Sequence, residues 1–195
     1  MVHVGPRDHG RRMSLDVFDH AIAKEGFRYE LGNGVIEVSE IEPIEHGRQV
    51  EALLEQLTAY QQRHGGVIDY LSGSSDAKLL IAAHESERHP DVMVYLSAPP
   101  DVADLWSIWI PKLVVEIVSQ RSSKRDYEVK PGEYLELGIF EYWIVDSIKS
   151  QLTALVRWRG QWKTRVLKPT QKISTPLLPG FTLDLKRVFA AAKKP

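Results

Sequence analysis

The stretch "LVVEIVS", Leu113 to Ser119, constrains the fold most, because its apolar, largely β-branched residues enclose a single carboxylate, Glu116. A near-continuous apolar run of this length predicts a central strand covered on both faces, hence a sheet with layers on either side. Residues two apart on a strand face the same way, so Glu116 points with Val114 and Val118, not with Val115 and Ile117. Taking that carboxylate out of water costs roughly several kcal/mol unless a cation, a metal or a proton meets it. The charged segment "QRSSKRDYEVK" follows at once.

The remaining elements fit one α/β (α+β) domain spanning residues 1–195, since a chain of 195 residues with 43% hydrophobic content can bury a sizeable core. That core is expected over about 27–189, with about 1–13 and 190–195 loosely held. "FRYELGNGVIEVSEIEP" predicts two short strands about a Gly-Asn-Gly turn, and "EPIEHGRQVEALLEQLTAYQQRHGG" a helix closed by Gly65 and Gly66. Val50, Leu53, Leu54 and Leu57 form its apolar stripe. His46 lies four residues before Val50 and faces inward, whereas Glu51 and Glu55 share a more exposed face.

"DAKLLIAAHESERHPDVMVYL" predicts a hairpin of Lys78–His84 with Asp91–Leu96, the polar residues between them forming its loop. After "LVVEIVS", Pro131 suits a first helical turn, so a helix is expected at Pro131–Leu137, with Asp126–Lys130 in its approach or in an offset turn. "IFEYWIVD" reads as a buried strand, and "LTALVRWRGQWKTRVL" as an additional hairpin turning near Arg159-Gly160; "LLPGFTLDLKRVF" closes the domain. Strand, helix and strand in that order predict a right-handed crossover between parallel neighbours in a mixed sheet.

Several function classes are excluded or constrained by composition. Without cysteine, disulfides, thiolate zinc sites and thiol catalysis are ruled out, and any metal must take oxygen or imidazole ligands. No apolar run approaches the roughly 20 residues needed to span a bilayer, and the start lacks a secretory apolar core, so a cytoplasmic protein with no membrane association is expected. The net charge of −1 gives no global basic excess. It is unevenly spread, however. Glu25 to Glu55 carries eight acids against Arg28 and Arg48, while Ser147 to Leu183 has no acid and carries Lys149, Arg157, Arg159, Lys163, Arg165, Lys168 and Lys172. That asymmetry suits either a binding face or a solvated hairpin.

Asp91 opens the strand that follows Pro90, 25 residues before Glu116. If the two strands are neighbours, both carboxylates converge at one end of the sheet. Such hard oxygen ligands suit Mg²⁺ or Mn²⁺. Lys130, entering the helix after the Glu116 strand, can fold back over that strand's end and stabilise charge at a phosphodiester.

With "HPDVMVYL", "LVVEIVS", "RDYEVKPGEYLELGIFEYWIVD" and "LPGFTLDLKRVF" in this arrangement, the sequence resembles the Uma-two family of putative restriction endonucleases, within the PD-(D/E)xK nuclease superfamily. The resemblance runs from about Tyr29 to about Phe189. It implies a restriction-endonuclease-like core, a central mixed β-sheet flanked by helices, with Asp91 and Glu116 as catalytic metal-binding acids and DNA as substrate. In the superfamily pattern a lysine lies two residues after the second acid. Here Val118 stands there, and the family's lysine on the following segment is matched by Lys130.

Supporting roles fall to His46 and Asp126; a third acid as in some superfamily members could come from Glu51, but its expected exposed face argues against this. Arg121, Lys124 and Arg125 are candidate phosphate contacts. Each also has a bland reading: a core histidine for His46, a turn cap for Asp126, solvated charges for the rest. Tyr134, Tyr142 and Trp143 are expected to pack helix against sheet. Two further readings stand beside the nuclease: a catalytically silent nucleic-acid binder, and an oligomerising module using Trp106, Trp109, Trp158 and Trp162. A homodimer is compatible with either enzyme or module.

Overall fold

The computed structural model describes residues 1–73 and 76–193. The chain opens with β1 (His3–Val4), helix α1 (Leu15–Asp19) and β2 (Ile22–Ala23), β1 pairing in parallel with β2. Segment 1–13, expected to be loosely held, therefore contains a paired strand and the buried Val4. At the other end, residues 194–195 of the segment expected to be loose lie outside the described residues.

Strands β3 (Phe27–Gly32) and β4 (Val35–Glu40) form the first predicted hairpin. Asn33 and Gly34 turn it with φ of 50° and 71°, a left-handed pair suited to Asn-Gly. Helix α2 (Ile44–Arg63) follows, then β5 (Tyr70–Gly73), β6 (Leu79–Ile81), β7 (Ser86–Arg88), β8 (Val92–Tyr95) and β9 (Leu113–Ile117). A π-helical turn over Arg125–Val129 runs directly into α3 (Lys130–Leu137), which ends at Gly138 with φ 99°. Last come β10 (Glu141–Asp146), β11 (Gln151–Trp158), β12 (Gln161–Leu167), β13 (Lys172–Ile173), β14 (Leu183–Asp184) and α4 (Leu185–Ala191).

The central sheet has the order β12-β11-β10-β9-β8-β5. It is mixed, because β9 and β10 are parallel, joined by the crossover that carries α3, while the other neighbours are antiparallel. As the alternation requires, Val115 and Ile117 face a core containing Val50, Leu53 and Leu57 of α2 and Leu185 and Val188 of α4. Val114 and Val118 face a second core with Tyr134 of α3, Met93 and Tyr95. The sheet is thus covered on both sides by helices, as the apolar run demands.

The predicted pairing of Lys78–His84 with Asp91–Leu96 is corrected. β6 pairs instead with β7, which occupies the segment read as loop, in a second sheet of order β4-β3-β7-β6; β8 joins the central sheet between β5 and β9. Ser86, Glu87 and Arg88 are polar yet buried, and partners from distant segments satisfy Ser86 and Arg88. Arg88 Nε and Nη2 donate to the two oxygens of Glu133 at 2.8 and 2.9 Å, and Nη1 donates to Glu37 at 2.6 Å and Glu30 at 3.4 Å. Ser86 Oγ donates to Glu133 at 2.9 Å.

The guanidinium needs room against the backbone. A Cβ on Gly32 would stand 2.5 Å from Arg88 Nη2, so the first glycine of the Gly-Asn-Gly turn is required by this neighbour rather than by its own torsion angles. Removing one side of a buried charge cluster leaves the other side unpaired. Arg88→Met is expected to lower unfolding free energy by about 3–5 kcal/mol in urea denaturation. Gly32→Ala should act in the same direction, and wild-type midpoints for both would contradict this account.

Candidate active site

The β8–β9 pairing sets Val92 opposite Val115, which carries Asp91 to the position facing Glu116 at the shared end of the two strands. Both acids are buried, at 1% and 3% exposure, and Lys130 of α3 is 2% exposed. Lys130 Nζ donates to Glu116 Oε1 at 2.7 Å and lies 3.2 Å from Asp126 Oδ1, outside hydrogen-bond geometry, and 3.9 Å from Glu30 Oε1. The π turn places Asp126 one turn ahead of Lys130, so the segment read as an approach to the helix is itself part of the site. Val118, two residues after Glu116, packs into the core around Tyr134.

Asp91 is held from three sides. Oδ1 accepts from His46 Nε2 at 3.0 Å and Arg28 Nη1 at 3.3 Å, and Oδ2 accepts from the Ile117 amide at 2.8 Å. Burial favours its neutral form, but these donors prevail and hold the carboxyl below the usual range. Asp91 in turn raises the His46 ring against the opposing effect of burial. Glu116 behaves differently. Burial first, with Asp91, Asp126 and Glu30 nearby, pushes it up to about 7 in spite of Lys130. For Lys130, burial alone would lower the ammonium, but Glu116, Glu30 and Asp126 together raise it.

Between these groups lies a polar cavity of about 20 Å³ lined by Asp91, Glu116, Asp126, Glu30, Arg28 and Lys130, among others, room for a single ion or water. Among the described residues, the linked cluster contains six carboxylates, of Glu30, Glu37, Asp91, Glu116, Asp126 and Glu133, against four fixed cations, Arg28, Arg88, Arg125 and Lys130. Two facing carboxylates and a cavity of this size, in a cluster with more acids than fixed cations, fit one hard divalent cation completed by water. No cage of three or more acidic or imidazole ligands exists among the described residues.

Of the other sequence candidates, Arg125 is drawn into the cluster through Glu37 at 3.1 Å, Arg121 is exposed and pairs with Glu40 at 3.2 Å, and Lys124 is exposed. Glu51 sits on the exposed face of α2 and lines a separate cleft beside His46. Tyr134 does more than pack, since its hydroxyl donates to Glu116 Oε1 at 2.8 Å. Sequence reasoning passes over Arg28 and Glu30 as members of the site. Their signal is the i, i+2 spacing that puts both on one face of β3, with Arg28 one of two cations in the acidic stretch.

Residues 15–186 match the family described as "Uma2: Putative restriction endonuclease". Among solved structures, that of "a putative nuclease belonging to DUF820" from Anabaena variabilis aligns with a TM-score of 0.72 and 18% identity, over 92% of this chain and 99% of that chain. At that identity the likeness is one of fold, a mixed sheet flanked by helices. No curated protein matches the chain.

The Glu116 shift fixes a pH dependence. Below about pH 4.5 the carboxyl is protonated in folded and unfolded chains alike; between there and about 7 only the unfolded chain ionises, so stability falls as pH rises through that window. The expected loss is about 3 kcal/mol. Glu116→Gln removes the titration. In EDTA, the wild-type chain is expected to lose stability relative to Glu116→Gln between pH 5 and 8, and parallel denaturation curves would count against a raised Glu116.

Proposed function

Because the chain belongs to the Uma2 family of putative restriction endonucleases, we propose that it is a metal-dependent endonuclease hydrolysing DNA phosphodiester bonds. The observation that carries this reading is the meeting of Asp91, Glu116 and Lys130 around one small polar cavity, in a cluster with more carboxylates than fixed cations. Asp91 and Glu116 are the residues that would hold Mg²⁺ or Mn²⁺. When bound, such an ion supplies Lewis-acid charge at a phosphodiester.

The protein's own groups do the rest. Lys130 keeps its proton too tightly to serve as a base, so it acts as a fixed ammonium, stabilising negative charge that develops on the attacking oxygen and the phosphorus centre. Asp126 and Tyr134 orient the Lys130–Glu116 pair, and His46 fixes the Asp91 carboxylate. Arg121 and Lys124, exposed on the segment after β9, are the cations suited to approach phosphates flanking the scissile bond. We place the protein in the cytoplasm and expect a homodimer when both strands of a duplex are cut. Among the described residues no helix is long and apolar enough to cross a membrane.

In a cleavage assay with Mg²⁺ or Mn²⁺ and DNA, Asp91→Ala and Glu116→Ala should abolish both activity and calorimetric ion binding. Lys130→Ala should lower turnover by about 10²–10³-fold. Cleavage retained in the two acid variants would sink the assignment.

The silent-binder reading has one observation in its favour, the acid-free hairpin. Lys163 and Arg165 lie exposed on the edge strand β12, and the 59% exposed Trp158 is flanked by Arg159 and Lys163 at 5.5 and 5.7 Å. Of the four tryptophans proposed for an oligomerising module, Trp109 is buried and Trp106 and Trp162 are half-buried. If the hairpin holds DNA, Lys163→Glu with Arg165→Glu should weaken binding in EDTA and flatten its salt dependence, by roughly 0.9 log unit per log unit of salt for each phosphate no longer neutralised. An unchanged slope would remove the hairpin from the interface.

A further inference from the structure

Arg28 reaches the site from β3, a strand of the second sheet, and of the two fixed cations that touch the acids, Arg28 on Asp91 and Lys130 on Glu116, it is the more accessible. Its side chain is 24% exposed, against 1% for Asp91 and 3% for Lys130. One guanidinium nitrogen lies 3.3 Å from Asp91 Oδ1, and the other donates to the His89 carbonyl. Glu30 and Glu116 add their negative charge to that of Asp91 in holding it. Arg28 and His46 together also line a cleft of about 840 Å³ that runs past Phe27, Ile41 and Ile44. The guanidinium therefore stands between Asp91 and open space.

A divalent ion of the Mg²⁺ class binds carboxylate oxygen at about 2.0–2.1 Å and needs a lone pair directed at it. Oδ1 of Asp91 already accepts from both His46 and Arg28, and Oδ2 is tied to the Ile117 amide. Two donors fill Oδ1, so an ion that binds there, on the Arg28 side, must displace one of them. The amide is fixed in the sheet and His46 is anchored in the first turn of α2, whereas Arg28 carries a full positive charge that repels an incoming cation. We propose that Arg28 is an internal counter-ion that competes with the divalent cation for Asp91, so that ion binding releases its guanidinium from Oδ1 towards the cleft, where it meets a substrate phosphate. This rests on the metal-site reading of Asp91 and Glu116 given above.

The test is Mn²⁺ titration by calorimetry on the full chain, comparing wild type with Arg28→Gln and Arg28→Lys, each checked by circular dichroism and thermal midpoint. Glutamine keeps a donor for the His89 carbonyl and removes the charge. It should bind Mn²⁺ roughly tenfold more tightly or better, because a like charge beside the ion is gone. Lysine keeps the charge but cannot hold both Asp91 and the carbonyl, and should fall between the two. Folded Arg28→Gln with unchanged or weaker binding overturns the proposal, as does absence of Mn²⁺ binding in every chain at millimolar ion. If Arg28→Gln does not fold, Arg28→Lys decides: tighter than wild type supports the competition, equal or weaker overturns it. DNA cleavage measured on the same samples separates the two ideas. Tighter ion binding without cleavage in any chain keeps the counter-ion and removes the nuclease, while cleavage with unaltered ion affinity does the reverse.

Discussion

The contact of Lys130 with Glu116 is the interaction on which the rest of the site depends. Two groups 14 residues apart in sequence, one on the central strand and one at the head of the crossover helix, are brought to 2.7 Å in a place closed to solvent. Neither charge is tolerable there alone. The strand can carry its carboxylate because the helix brings an ammonium, and the helix can bury its lysine because three carboxylates surround the nitrogen. The same requirement explains why α3 begins in a π turn. The wider turn leaves Pro131, which has no amide to donate, at the second helical position and sets Asp126 beside Lys130.

Around that pair the protein has built a second layer of charge. Arg88 joins β7 to α3 through Glu133 and to the β3–β4 hairpin through Glu37 and Glu30, while Glu30 also faces Lys130. Burial pushes Glu30 towards the neutral form, yet Lys130 and the arginines hold it well below the usual carboxylate range. The second sheet is thereby fastened to the crossover helix by ions as well as by the apolar cluster that Leu79 and Ile81 of β6 share with Tyr134. This holds the position of Lys130 relative to β9 from two directions.

The central sheet, the two long hairpins, α2 and the Asp91, Glu116 and Lys130 constellation were legible in the sequence because each follows from a local rule. Alternation assigned Glu116 its face, the apolar run placed β9 in the middle, and proline placed the start of α3. What was not legible had been paired at a distance. Ser86-Glu87-Arg88 looks like a loop to any rule that reads polar residues as exposed, and partners 45 to 58 residues away are what let Ser86 and Arg88 be buried there. Arg28 is hidden for a related reason: its partner Asp91 is 63 residues away. Tyr134 showed its apolar ring in the pattern and not the hydroxyl that reaches Glu116.

With Val118 where a strand lysine would stand, the ammonium belongs to a different rigid element from the acids. The positions of the ammonium and of the acids are then mechanically separable. A tilt or slide of α3 against the sheet would move Nζ while leaving Asp91 and Glu116 in register. Anything that grips α3, including the Trp162 indole bonded to the Pro131 carbonyl from the edge hairpin, thus has a lever on the position of the ammonium that never touches the acids themselves.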